Sequence, residues 1–447
     1  NRMEDKEDYL STLNERQLDA VTTTEGYVRI IAGAGTGKTK ALTHRYAYLV
    51  NELGISTSNI LCVTFTNKAA REMSKRIRQM IGDSDTGYIC TFHGFCVKLL
   101  REDIHAINFP QNFVVMDDED TEEILKTVYE NAHIQSRTYT FDSARDHITA
   151  LKSQMLHIPY LAEIGNEKLL ADYEKAEKVE DKVFLGYLYE QKKVYGLDYD
   201  DLITIALYIL QTDETKRIKW QERMMYVMVD EFQDVSNSQY ALAEILSGYH
   251  RNLFIVGDPD QTIYTWRGAQ IEYILEFDET HENTRTIFLD MNYRSTPEIL
   301  AVSNSLIEKN KKRLPHRLEA YKESGRRPIY IHSRTTGDEA QWMTSGIQRL
   351  VSEGASYNEM AVLYRSHFVS RNIEESFIKA KIPYTLYSGV EFYKRKEIKD
   401  ILAYLRMIVY SDDLSFRRVI NEPKRNFGKK RMALVKAYAE SHRCSLY

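Results

Sequence analysis

Short apolar runs alternate with amphipathic stretches through the first hundred residues. Val28–Ile31, Ile60–Phe65 and Tyr88–Thr91 are apolar at nearly every position, the pattern of strands buried on both faces. Between them, Lys38–Val50 and Asn67–Met80 read as helices. This alternation predicts a parallel sheet with helices on both faces. From about Asp117 to Asp198 the strand signal stops and charged helical segments such as Asn166–Tyr195 take over, which predicts an all-helical insertion. Strand runs return at Tyr226–Val229 and Leu253–Val256, so the insertion splits one domain. A second α/β series is predicted from Arg285, with strands Thr286–Leu289, Ile329–His332 and Met360–Leu363, and the chain reads as helical from Glu391 to Tyr447.

The expected organisation is therefore a first core in two parts, 1–116 and 199–284, around an insertion at 117–198. Residues 285–390 then form the N-terminal part of a second core, and 391–447 its helical end with the start of a second, truncated helical insertion. No internal repeat, low-complexity tract or heptad run interrupts this reading.

Composition narrows the class without naming a function. With 447 residues, 43% hydrophobic and 28% charged, the chain is a multidomain globular protein rather than a fibrous or disordered one. No apolar run reaches membrane-spanning length, and the polar start Asn1–Asp8 is no secretory signal, so a cytoplasmic protein is expected. Cys62, Cys90, Cys96 and Cys444 lack metal-ligand spacing and read as reduced thiols. The net charge of −5 excludes a simply basic nucleic-acid binder. Locally, Lys68, Arg71, Lys75, Arg76 and Arg78 face one acid, Glu72, and 309–317 and 424–431 are also basic. Such runs are usually solvated faces.

The chemistry starts at Ala32-Gly33-Ala34-Gly35-Thr36-Gly37-Lys38-Thr39, between a strand run and a helix. Glycines let the backbone close around an anion, and the N–H groups of the helix start face it. Lys38 is placed to reach the β- and γ-phosphates of a nucleoside triphosphate, and Thr39 to complete a Mg²⁺ shell. The common pattern has glycine where this chain has Ala32. Asp230 and Glu231 end the strand Tyr226–Val229. Phosphoryl transfer needs one carboxylate for the metal and one group to orient water, and both are supplied here at a sheet edge where ligands bind. Gly257-Asp258-Pro259-Asp260-Gln261 follows the next strand, with Gln261 as a candidate γ-phosphate contact or simply a surface turn residue. Tyr264, Trp266 and Arg267 follow as a possible base-stacking platform or as packing residues.

Taken together these segments resemble the UvrD/PcrA/Rep group of superfamily 1 DNA helicases. The loop Ala32–Thr39 matches that group's variant with alanine at the first position. Leu13-Asn14-Glu15-Arg16-Gln17 resembles its adenine-reading motif, which implies that Gln17 contacts adenine. Thr64–Ala70 and Thr91–Phe95 resemble its first single-strand contacts, Asp230–Gln233 its metal and catalytic motif, and Gly257–Ala269 the segment joining nucleotide to DNA. Asn292-Tyr293-Arg294-Ser295 resembles the next motif, implying Tyr293 stacked on adenine and Arg294 at the γ-phosphate. Tyr364-Arg365-Ser366 and Glu391–Ile398 resemble later segments. The resemblance covers about residues 10–445.

The implied fold is α/β, with two RecA-like P-loop cores, the second incomplete, and all-helical insertions. The implied activity is an ATP-dependent, Mg²⁺-using DNA helicase moving 3′ to 5′ on single-stranded DNA, in repair or replication, within a bacterial-type, nucleoid-associated cytosol. Catalysis would rest on Lys38, Asp230, Glu231, Gln261 and Arg294. Nucleotide would be held by Gln17, Ala32, Gly33, Ala34, Gly35, Thr36, Gly37, Lys38, Thr39, Tyr293 and Arg294, and metal by Thr39 and Asp230. Single-stranded DNA, or its junction with duplex, would meet Phe65, Lys68, His93, Tyr264, Trp266, Arg267 and Arg365. Lys38 and Arg294 are expected on different cores, brought together by closure on ATP.

Two departures qualify these expectations. His367-Phe368-Val369 stands where the group usually carries an Asn-Ala-Gln-like run. A later DNA motif and a second arginine for the ATP site are not found before Tyr447, so the chain reads as a fragment that binds ATP but hydrolyses it poorly. The alternatives are the helicase part of a RecB/AddA-like helicase–nuclease, or a nucleotide-gated DNA-binding switch without motor output.

Overall fold

The computed structural model describes residues 8–82, 85–265, 268–387 and 396–447. Contacts divide the chain into two compact units, residues 1–326 and 327–447.

In the first unit the strands are β1 (Tyr27–Ala32), β2 (Ile60–Val63), β3 (Tyr88–Cys90), β4 (Val114–Val115), β5 (Gly196–Leu197), β6 (Tyr226–Val229), β7 (Leu253–Gly257), β8 (Arg285–Leu289), β9 (Met291–Asn292) and β10 (Glu319–Ala320). Among the described residues the main sheet has six strands in the order β3-β2-β6-β7-β1-β8, all parallel. Alternate residues turn to one face: Val28, Ile30, Ile60, Cys62, Met228, Phe254, Val256, Ile287 and Leu289 share a buried cluster with Leu42, Tyr46, Leu49, Met73 and Ile77. Those last five come from helices Lys38–Asn51 and Asn67–Ile81. The intervening Ile31, Leu61, Val63, Val227, Val229 and Ile255 are buried too. The helix Asn237–Ser247 packs against β6 and β7 on that other side. Cover on both faces is why these strands read as continuous apolar runs.

The insertion is helical, as expected, from Asp118–Asn131 to Val179–Lys193. Its two ends meet in a short parallel ladder, Val114 with Gly196 and Val115 with Leu197. Inside it, Lys152 is fully buried, its Nζ 2.6 Å from Asp198 Oδ2 and 2.7 Å from Asp201 Oδ1. Tyr187 donates to the same Asp198 oxygen at 2.8 Å. Burial, then the Lys152 charge, drives the neighbouring His157 down to about 3, so it is neutral.

Two expectations need correction. The strand expected to open a second core, β8, pairs with β1 from Val28↔Arg285 to Ala32↔Leu289 and is an edge of the first sheet. The first compact unit extends to Arg326. The runs Ile329–His332 and Met360–Leu363 form no strand among the described residues. A parallel strand exists only beside a partner ladder, and these segments leave Tyr330 and Leu363 exposed.

Among its described residues the second unit has two apolar clusters. Helices Thr336–Ser352 and His367–Lys379 pack through Ala340, Ile373, Phe377 and Ile382. Lys396–Tyr410, Asp413–Val419 and Lys429–His442 enclose Ala403, Met407, Phe416, Val419 and Ala439. Among the described residues, no helix is long and apolar enough to cross a membrane.

Candidate functional site

The loop after β1 is built around two positive-φ glycines. Gly37, at φ 89°, is the N-cap of the helix Lys38–Asn51 and offers no side-chain acceptor, so the first-turn N–H groups point to the ligand side. Gly35, at φ 72°, sits so close to the segment after β8 that a Cβ there would lie 2.7 Å from Arg294 Cβ. That segment is fastened to the loop: Asn292 donates through Nδ2 to Ala34 O, and the Tyr293 N–H to Gly35 O at 2.9 Å. From the other side Gln17 Nε2 donates to Thr36 O at 2.9 Å, and Asn14 Nδ2 to the Tyr293 hydroxyl at 2.7 Å. Thr36 is buried, its hydroxyl on Gly33 O at 2.8 Å, and Ala32 ends β1.

These contacts enclose a cleft of about 400 Å³ lined by Gly33, Gly35, Gly37, Lys38, Thr39, Lys40, Arg76, Tyr293 and Arg294. Lys38 and Arg294 thus share one pocket of the first unit, correcting the expectation that they lie on different cores. β8 carries Arg294 back beside the loop. Lys40 and Arg76 were not singled out from sequence. Lys40 adjoins Thr39, but Arg76 reaches the cleft from the third turn of Asn67–Ile81, which no local spacing signals.

Below the loop the carboxylates at the end of β6 sit beside Lys38. Lys38 Nζ lies 2.6 Å from Glu231 Oε2. Glu231 takes φ 50°, ψ 42°, a left-handed conformation costing a non-glycine residue roughly 1 kcal/mol. Its N–H donates to Asp230 Oδ1 at 2.9 Å. Burial, then the Glu231 charge, pushes the Asp230 carboxyl up to about 6. Burial also works to raise Glu231, but Lys38 and a Gln233 hydrogen bond outweigh it and hold that carboxylate below its usual range. Thr39 and Asp230 offer hard oxygen donors, each adjacent in sequence to one member of the Lys38–Glu231 contact. A buried carboxylate raised by a like charge is a site that a divalent cation would relieve.

Gln233 is the hub of the polar network. It is buried, and Nε2 donates to Glu231 Oε2 at 2.9 Å and to Asp234 Oδ2 at 3.3 Å. Its Oε1 accepts the Asp258 N–H at 3.0 Å. Gln261 Nε2 donates to Asp258 Oδ2 at 2.5 Å, so the Gln261 turn joins the same chain of bonds. Burial raises the Asp234 carboxyl, and the backbone N–H groups of Ile263 and Tyr264 work against that rise.

Tyr264 opens a second cleft of about 620 Å³, shared with Phe65, His93, Tyr199 and the insertion residues Thr149 and Ser153. The Phe65 and Tyr264 rings are 6.5 Å apart and within 7° of parallel, roughly twice the ~3.4 Å rise of stacked bases. His93 packs edge-on against Tyr199 at 5.3 Å, and burial lowers it so that the ring is neutral at pH 7. Lys68 is exposed in the first turn of Asn67–Ile81. Arg365 is exposed in the second unit, before His367–Lys379. Trp266, Arg267 and residues 391–395 lie outside the described residues.

The sequence matches the UvrD/REP helicase N-terminal domain over residues 13–282 and the UvrD-like helicase C-terminal domain over 287–446. Similar curated proteins include the "ATP-dependent DNA helicase PcrA" of Staphylococcus aureus, 40% identical over 440 residues, and that of Staphylococcus epidermidis, 39% identical over 440. The alignment covers 98% of this chain and 59% of each relative, so the chain spans a little over half their length. On this match and on the six-stranded parallel sheet that carries the phosphate loop, the chain belongs to the UvrD/REP helicase family.

Proposed function

We propose that the protein carrying this chain is an ATP-dependent DNA helicase that couples nucleotide hydrolysis to movement on single-stranded DNA. The carrying observation is a polar path that leads from the phosphate loop to the aromatic cleft: Lys38 to Glu231, Glu231 to Gln233, and Gln233 to Asp234, which lines that cleft together with Tyr264. A nucleotide-dependent change at Glu231 therefore has a hydrogen-bonded route to the aromatic cleft.

The loop N–H groups and Lys38 bind the phosphates, Tyr293 and Gln17 border the base, and Arg294 meets the γ-phosphate. Glu231 orients and deprotonates the attacking water, which requires Lys38 to leave it for phosphate. Thr39 and Asp230 would hold Mg²⁺, which supplies charge neutralisation on the β- and γ-phosphates when bound. In the second cleft Phe65, Tyr264 and His93 stack on bases, a contact tolerant of sequence, while Lys68 meets phosphates; Arg365 is a phosphate contact by the family resemblance alone. Trp266 and Arg267 are DNA contacts by the family resemblance alone. A junction of single strand and duplex is the substrate that the flanking insertion suits, with 3′ to 5′ travel by family resemblance.

The test is steady-state ATP hydrolysis by the full-length protein, with and without single-stranded DNA, beside Glu231→Gln. DNA-stimulated hydrolysis that the variant loses supports the reading. Hydrolysis indifferent to DNA, or unchanged in Glu231→Gln, overturns it.

A further inference from the structure

The turn after β7 is gripped from two sides. On the inner side Gln233 holds the Asp258 N–H, and Asp258 in turn accepts from Gln261. On the outer side Arg313 makes a two-point ion pair with Asp260, Nη2 to Oδ2 at 2.8 Å and Nε to Oδ1 at 3.2 Å. The pair is nearly buried, with 12% and 10% of the two side chains exposed. The guanidinium also donates to His316 O at 2.9 Å, closing its own turn. Lys312 ties the same segment to Glu272 at 2.7 Å.

From sequence, 309–317 is a basic run, and a solvated face or a phosphate contact is the ordinary reading. The geometry assigns Arg313 otherwise, to a carboxylate of its own chain. Asp258, Asp260 and His316 also bring three potential ligand atoms within 4.8 Å of one another. The positive charge at that spot is already the Arg313 side chain, so no cation is invoked.

We propose that Arg313 is a positioning residue that makes the Asp258–Gln261 turn pass nucleotide state on to the aromatic cleft. This rests on the reading that the protein is a DNA-stimulated ATPase. Asp258 is fixed by Gln233 and Asp260 by Arg313. A displacement of Gln261 by a γ-phosphate is then taken up along Thr262–Tyr264, which leads into the cleft holding Phe65. Without the outer grip the turn yields at Asp260 and the displacement stops there. The planar fork of arginine suits this two-point hold, and lysine would keep the charge without the fork.

The experiment compares full-length wild type, Arg313→Gln and Arg313→Lys. Three quantities are read: DNA-free turnover with KM for ATP, the fold-stimulation by oligo(dT), and the ratio of oligo(dT) affinities with and without a non-hydrolysable ATP analogue. For Arg313→Gln, stimulation should fall about tenfold or more and the affinity ratio collapse toward one, with DNA-free turnover and KM within about twofold of wild type. Arg313→Lys should fall between. A uniform loss of all three in step with lowered thermal stability in both variants, or an unchanged ratio, overturns the proposal alone. A wild type without DNA stimulation overturns the functional reading and this proposal with it.

Discussion

Lys38 and Glu231 hold each other in the structure, with Nζ 2.6 Å from Oε2. The proposed function needs both groups elsewhere during turnover, the lysine on phosphate and the carboxylate on water, and on that reading nucleotide binding competes with this ion pair. Glu231→Gln removes the competition and the base together. We expect it to bind a fluorescent ATP analogue at least as tightly as wild type while turnover drops by roughly 10²–10⁴. Weaker binding alongside the lost turnover would mean that Glu231 helps hold nucleotide rather than activate water.

Gly35 tests how closely the segment after β8 must approach the loop. Alanine there meets both a φ of 72° and a Cβ 2.7 Å from Arg294 Cβ. Relief requires moving Arg294 or the loop, at a cost of about 1–3 kcal/mol. Gly35→Ala should weaken ATP-analogue binding roughly tenfold or more by titration. Affinity for single-stranded DNA without nucleotide should stay near wild type.

The parallel Phe65 and Tyr264 rings make a sequence-tolerant prediction. Phe65→Ala should weaken oligonucleotide binding by about 1–3 kcal/mol, equally for oligo(dT) and a mixed sequence. Fluorescence anisotropy distinguishes this from base-specific readout, in which one sequence would lose far more than the other.

The buried Lys152 group governs the stability of the insertion. Lys152→Met leaves Asp198 and Asp201 in the interior without their cation and should cost about 3–5 kcal/mol in urea denaturation. The loss should shrink as pH falls, because stranded buried carboxylates have raised folded pKa values and the folded state then takes up more protons.

His157 runs the other way. Its folded value of about 3 lies below the unfolded 6.5, so its contribution is complete above pH 6.5 and is lost as pH falls. From pH 6.5 to 5 wild type should lose about 2 kcal/mol from this residue, and His157→Gln should flatten that part of the profile.

Strands buried on both faces, such as β1 and β7, were legible because nearly every residue is apolar, Arg29 of β1 being the charged exception. Partnership was not. Thr286–Leu289 reads as a strand, but nothing in its periodicity says that it lies beside β1 rather than opening another sheet. The contiguous parts of the site were legible for the same local reason: glycines, Lys38 and Thr39 sit in one loop, and Asp230 with Glu231 at one strand end. Gln233 lies inside a motif read from sequence, yet its role as a hub depends on Asp258 arriving from another strand. Arg76 and Arg313 depend on contacts across tens of residues, and each looked like one more charge in a basic run. Ile329–His332 shows the opposite failure, an apolar pattern with no ladder among the described residues.

The paired ends of the insertion, Val114 with Gly196 and Val115 with Leu197, bear on how the domain tolerates so large an interruption. Backbones in a ladder lie about 4.8 Å apart, so the chain departs and returns at almost the same point. Closing a long excursion costs only logarithmically more than closing a short one. The parallel sheet therefore sees the helical block much as it would see an ordinary surface loop. That block can lengthen, shorten or be exchanged for another while the order β3-β2-β6 stays as it is.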